Sequence, residues 1–287
     1  MNFPFKLFPI KIVLIFIGLL SEFNLITHAK ENLNNKYKIV ALTSLSADLV
    51  NQINKESLVG IPGSSLIRKN SDFDNKTIVS SGRMQPDLEK IINLNPTLVI
   101  GASGFHDKTL SKIKGLGINT LSTNIKSLKS LDNFYQELQR KLEVNNLTSI
   151  EEVLESCYPN NSIIKRNNKD VVALVSVKPI LSPGANSWAG SLINNFKLNN
   201  LSANIQNKTQ FKGYTNLSQE WLLKIKPNNL ILIKTPGSDI SQYKSLPIWE
   251  KLPAVKNKKI FEFDYYGLIN PGNLDSIDNA CRKLSLI

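Results

Sequence analysis

Apolar residues along the chain follow two spacings in turn. Short continuous runs at 37–43, 57–61, 98–100 and 118–121 predict buried strands. Between them, apolar residues recur every three or four positions. Leu49, Val50 and Ile53 predict a helix beginning near Ser46, and 109–114 a short one stopped by Gly115-Leu116-Gly117. Residues 62–76 are polar and read as a loop. From 128 to 144, Leu131, Phe134, Tyr135, Leu138 and Leu142 share one helical face, and a second helix over 149–157 runs up to an interruption at Pro159. The alternation then resumes: strand 170–176, turn 181–186, helix 188–198, strand 230–233, helix 248–255, strand 259–263, loop 264–273 and helix 275–284. The expected fold class is α/β, with two Rossmann-like lobes joined by a helical connection and a ligand cleft between them. The expected domains are an N-terminal lobe at 30–145, a connection at 146–169 and a C-terminal lobe at 170–287.

The halves are related in detail. The stretch 82–100 reads as loop, short helix, turn and strand, and 213–231 repeats that plan. Gly82 and Gly213, Glu89 and Glu220, and Pro96 and Pro227 are each 131 residues apart. Apolar positions match apolar positions, and the glutamate is the only charged residue kept in both copies.

The N-terminus adds a location. Lys6 and Lys11 precede the apolar run 12–20, and Thr27-His28-Ala29 ends in a small residue. Residues 1–29 are therefore expected to be a cleaved signal peptide, the run being short for a membrane span. No Cys lies near its end, so a lipid attachment site is not expected, and the mature chain should be periplasmic. Cys157 and Cys281 are the two cysteines; in an oxidising compartment they either pair or remain two buried thiols. Beyond the signal the one histidine is His106, which argues against a histidine-built zinc or manganese site. The formal net charge is +12, yet no dense basic cluster interleaved with aromatics accompanies it, so nucleic acid is not an expected partner. With no Gly-x-Ser-x-Gly and no Cys/His set, the chain is not expected to be an enzyme.

The run Pro86-x-Leu88-Glu89-x-Ile91, then Leu94-x-Pro96-x-Leu98-Val99-Ile100, is followed in the second half by Ser218-x-Glu220-x-Leu222-Leu223-x-Ile225-x-Pro227. Near the end come Trp249-Glu250 and Leu252-Pro253-Ala254-Val255-Lys256-Asn257. This ordered set resembles the periplasmic substrate-binding proteins that serve ABC importers of ferric siderophores, haem and vitamin B12. The resemblance implies a monomeric protein that carries a bulky metal chelate between its lobes and holds no cofactor of its own. It also implies one exposed glutamate per lobe docking on arginines of the membrane permease. Glu89 and Glu220 match those places, and a first-turn carboxylate suits the helix dipole in either case. In the family's pocket, aromatics precede each glutamate. Tyr214 fits that place in the second lobe, whereas the first has Arg83, either a grip for acidic groups of a chelate or a solvated loop residue. Phe105, Trp188, Tyr265 and Tyr266 fall near predicted strand ends, where aromatics stack on a macrocycle or chelate rim or else pack in the core. Met84 and His106 are candidate iron ligands only if the ligand is haem, while Trp221 and Trp249 are assigned to packing. The alternative to transport is an exported two-lobed sensor or scaffold, with an exported enzyme less favoured.

Overall fold

A computed structural model describes residues 36–81, 84–145, 148–159, 170–205 and 212–287. The predicted signal peptide, Arg83 and half of the expected connection lie outside the described residues.

In the first half, β1 (Ile39–Ala41) leads into α1 (Ser44–Asn54), whose N-cap Thr43 accepts from the Ser46 N–H. Then come β2 (Leu58–Pro62), β3 (Thr77–Ser80), α2 (Leu88–Asn93), β4 (Leu98–Ala102), α3 (Asp107–Gly115), β5 (Asn119–Thr123) and α4 (Leu128–Lys141). The five strands form one parallel sheet in the order β3-β2-β1-β4-β5. Sequence pattern misses β3. At the sheet edge Ile78 is 43% exposed while Val79 is fully buried, so no apolar run announces the strand.

In the second half, β6 (Asp170–Leu174) precedes the hairpin β7 (Ser176–Val177) and β8 (Ile180–Pro183), then α5 (Trp188–Asn195) and β9 (Asn199–Asn200). After them come β10 (Tyr214–Leu217), α6 (Gln219–Ile225), β11 (Asn229–Lys234), β12 (Ile260–Asp264) and α7 (Leu274–Leu284). A parallel sheet has the order β12-β11-β6-β9, and β10-β8-β7 form a small antiparallel one. The expected turn at 181–186 is thus corrected. Leu181 and Ser182 belong to a buried strand and pair with Asn216 and Thr215.

The duplication holds in the backbone. β1 and β6, α2 and α6, and β4 and β11 begin 131 residues apart, as do the caps Asp87 and Ser218. Asn95 (φ 48°) and Lys226 (φ 49°), at the same separation, both turn left-handed to end the helix before its proline. The two lobes diverge between the first strand and this unit.

Alternate side chains of a parallel strand face opposite layers. Ile39 and Ala41, Val171 and Ala173, and Ile231 and Ile233 all enter one shared apolar core. Val40 faces a core private to the first lobe, and Val172, Leu174, Leu230 and Leu232 one private to the second. Leu131, Phe134 and Leu138 of α4 lie in the shared core, so both sheets rest on one apolar body. Beyond α4 the chain makes a single helical turn, Ile150–Val153, then a 3-10 turn, Glu155–Cys157. Here the break comes at Leu154 (φ −118°, ψ 44°), ahead of Pro159, with Leu154 buried in the core. Cys157 and Cys281 are bonded, with their Cα atoms 4.9 Å apart, which fastens this segment to α7.

Candidate functional site

Ligands of open α/β sheets bind beyond the carboxyl ends of the strands. Here the segments following β1, β2, β4, β5, β11 and β12 converge on one cleft of about 970 Å³. That volume lies at the upper end of small-molecule sites. The first lobe contributes Thr43, Ser44, Ser64, Arg68 and His106 among others, and the second Thr235, Tyr265, Tyr266 and Asn270. Lining hydroxyls and amides are many; Arg68 is the one charged residue and no carboxylate is present among the described lining residues.

Four sequence-derived candidates, Phe105, His106, Tyr265 and Tyr266, meet in this cleft. Phe105 is 55% exposed on its rim, edge-on to His106 with ring centroids 4.8 Å apart. Tyr265 and Tyr266 stand edge-to-face, their centroids 5.3 Å apart. They follow β12 in a bend assigned as one helical turn, whose Tyr266 and Gly267 dihedrals are not helical.

Trp188 is not among them and is corrected to a core residue. It is 4% exposed, and its indole N–H donates to the Gly267 carbonyl at 2.8 Å. Indole is the largest apolar side chain, and at the first position of α5 it falls on the core-facing side. Tyr214 likewise does not line the cleft; it is half-buried against the shared core. Burial, and secondarily the nearby Tyr265, pushes its phenol pKa up, so it stays protonated. Arg83 lies outside the described residues. Met84 is 68% exposed and does not line the cleft.

His106 is 5% exposed and caps the turn from β4 into α3. Its backbone N–H donates to the Ala102 carbonyl at 2.9 Å, and Ala102 N–H donates to its Nδ1 at 3.0 Å. Gly101 makes room for the ring: a Cβ there would sit 2.8 Å from the His106 Cβ. Burial lowers its pKa, with Asp107 acting weakly the other way, so the imidazole is neutral at pH 7.

Sequence reading missed Arg68 and the hydroxyl residues Thr43, Ser44 and Ser64. Their only signal is position: each closely follows the C-terminal end of a parallel strand. The two lobes also meet beside the cleft. Asp48 of α1 accepts from the Leu274 N–H at 2.8 Å, capping α7 from the opposite lobe. It lines a second cavity of about 390 Å³ with Lys69 and Asp275.

Glu89 and Glu220 occupy the second position of α2 and α6, and both are exposed. Asp87 caps the first helix through Lys90 N–H and Ser218 the second through Trp221 N–H, each at 3.1 Å. The Glu220 carboxyl is lowered in pKa by its own backbone N–H first and by Ser218 second.

The family model described as "Periplasmic binding protein" matches residues 39–266. The Fe(3+)-citrate-binding protein YfmC of Bacillus subtilis (strain 168) is 24% identical over 200 residues, 63% of this chain and 58% of that protein. This chain therefore spans less than two thirds of that relative. The high-affinity heme uptake system protein IsdE of Staphylococcus aureus (strain bovine RF122 / ET3-1) is 23% identical over 218 residues, 70% of each chain. Among solved structures, the periplasmic heme binding protein HutB of Vibrio cholerae superposes with a TM-score of 0.68 at 18% identity, covering 87% of this chain and 98% of that one. At that identity the likeness shows the fold.

Proposed function

We propose, since the chain belongs to the periplasmic binding protein family, that it is the substrate-binding component of an ABC importer for a metal chelate. The observation that carries this reading is the cleft. It is large, drawn from both lobes, gathered at strand ends, and rich in neutral donors around one guanidinium. Phe105, Tyr265 and Tyr266 offer apolar faces to the rim of a chelate, and Arg68 offers charge to its acidic groups. The names of two relatives, one for Fe(3+)-citrate and one for heme uptake, support a ligand of that chemical class.

Delivery is assigned to Glu89 and Glu220. Two exposed carboxylates at the same position of duplicated helices present one ionic handle per lobe. Carboxylate–arginine pairs are directional, so two of them fix orientation on a permease as well as affinity. In this reading residues 1–29 export the chain and are removed, and it works as a periplasmic monomer. The lobes are 30–145 and 170–287, joined through 146–169.

Thermal melting with ferric citrate, hemin and cyanocobalamin tests the ligand. A chelate at a hundred times its Kd adds about 2.7 kcal/mol of stability. If none of the three raises the melting temperature, the chelate reading fails. The double variant Glu89→Ala/Glu220→Ala tests delivery: chelate affinity stays within roughly twofold while uptake drops roughly tenfold or more. Uptake at the wild-type rate refutes the handles and favours a sensor or scaffold role.

A further inference from the structure

His106 is 95% removed from solvent and lines the cleft, and among the described residues its side-chain hydrogen bond is the one at Nδ1. A neutral imidazole has one N–H and one bare nitrogen. Nδ1 faces the Ala102 N–H at 3.0 Å, so Nδ1 is the bare nitrogen and the proton sits on Nε2. The ring packs close to Gly101 and at 84° to the Phe105 ring, and the bond to Nδ1 fixes which nitrogen is bare. Asp107, the neighbouring acid, is engaged elsewhere: its Oδ2 accepts from the Gly104 N–H at 3.0 Å. What remains is a neutral N–H donor in a cleft wall that has no carboxylate among its described residues.

We propose that His106 donates a hydrogen bond from Nε2 to an anionic oxygen of the bound chelate, and that it is not a ligand of the chelated metal. The proposal rests on the chelate reading above and narrows it to chelates that present carboxylate or other anionic oxygens. Metal ligation by Nε2 needs a bare Nε2. The proton would have to move to Nδ1, where it would point at the Ala102 N–H, or leave altogether. The first course breaks the hydrogen bond from the Ala102 N–H at the end of β4; the second makes an anionic imidazolate of a ring that is 95% removed from solvent. Donation to an oxygen uses the ring as it stands. A ligand that displaces water from this N–H without offering an acceptor loses that hydrogen bond, whereas one that places an anionic oxygen there keeps it in a stronger form. Arg68 supplies positive charge to the same cleft.

Two measurements test this. The first needs no variant and no ligand. Imidazole 15N spectra of the wild-type protein are expected to show His106 protonated at Nε2 and bare at Nδ1; the reverse tautomer overturns the proposal whatever the chelate. The second is titration with ferric citrate. His106→Leu is expected to weaken binding by roughly 10- to 100-fold, the worth of a hydrogen bond to a charged group. His106→Gln, which keeps an N–H donor at similar reach, is expected to stay within about threefold of wild type. Wild-type affinity in His106→Leu overturns the proposal, as does a histidine-ligated visible spectrum with hemin that disappears in His106→Gln. If wild-type protein binds none of ferric citrate, hemin and cyanocobalamin, the chelate reading falls and takes the ligand half of this proposal with it. A reversed tautomer sinks this proposal alone.

Discussion

Asp48 makes stability depend on pH in an unusual direction. Its carboxylate caps α7 from the other lobe, and it is largely buried beside the smaller cavity. Burial raises its pKa from 3.8 to about 6; the Leu274 N–H opposes this, and Asp275 adds to it. Lys69 is the cation facing the same cavity. The folded state therefore holds the Asp48 proton more tightly than the unfolded chain. Its contribution is fully present below about pH 4 and is lost as pH rises through about 6. A shift of about 2 units corresponds to about 3 kcal/mol. Asp48→Asn keeps an oxygen for the Leu274 N–H and removes the titration. At pH 7 the variant is expected to be more stable than wild type by about 2–3 kcal/mol, or about 6 °C in melting temperature for a chain of this size. At pH 4 the two are expected to converge. Melting curves of both proteins from pH 4 to 8 decide the matter. If the curves run parallel across that range, or the variant is destabilised at pH 7, the buried ionised carboxylate is not the cause.

Three further outcomes follow from the same structure. Cys157→Ser with Cys281→Ser, or reduction of the wild type, opens a bridge spanning 124 residues and is expected to cost about 2–4 kcal/mol in chemical denaturation while chelate binding at 25 °C persists. Trp188→Phe removes the donor to the Gly267 carbonyl and is expected to cost about 1–3 kcal/mol, with chelate affinity unchanged because Trp188 does not line the cleft. Arg68→Ala is expected to weaken ferric citrate by roughly tenfold in fluorescence titration and to move unfolding stability by less than about 0.5 kcal/mol.

The lobes were legible in the sequence wherever strands are buried on both faces. Val40, Val99, Val172 and Ile231 stand in continuous apolar runs because every face of those strands meets a core. The edge strand β3 and the hairpin strand β8 carry no such run, so β3 went unseen and β8 read as a turn, while the edge strands β5 and β12 were read from the sequence. Site residues divide the same way. Phe105, Tyr265 and Tyr266 could be placed because a strand end followed by an aromatic is a local pattern. Trp188 satisfied the same pattern and went to the core, since what decides is the side on which α5 packs. Arg68 and the cleft hydroxyls have no local signature, because a polar loop residue looks alike whether it faces solvent or ligand. His106 was visible as a lone histidine, but its role depends on the Ala102 N–H, a contact that only the fold creates.

The duplicated frame yields one more test, in its left-handed residues. Asn95 and Lys226 end equivalent helices at φ 48° and 49°, before equivalent prolines. Asn tolerates that conformation through local hydrogen bonding; for an ordinary L-residue it costs roughly 1–2 kcal/mol. The backbone geometry is thus the same in both lobes, and the strain is not. Lys226→Gly removes the Cβ that causes it, against a smaller entropic loss in the unfolded chain. It is expected to stabilise the protein by about 1 kcal/mol, while Asn95→Gly moves stability by only a few tenths. Urea titration of both variants compares them directly. Equal gains at the two positions would mean that asparagine carries the same strain as lysine. A loss at Lys226 would mean that its side chain makes a stabilising contact that outweighs the strain. In both lobes this helix end turns the chain into β4 or β11, and so toward the strand ends that build the cleft.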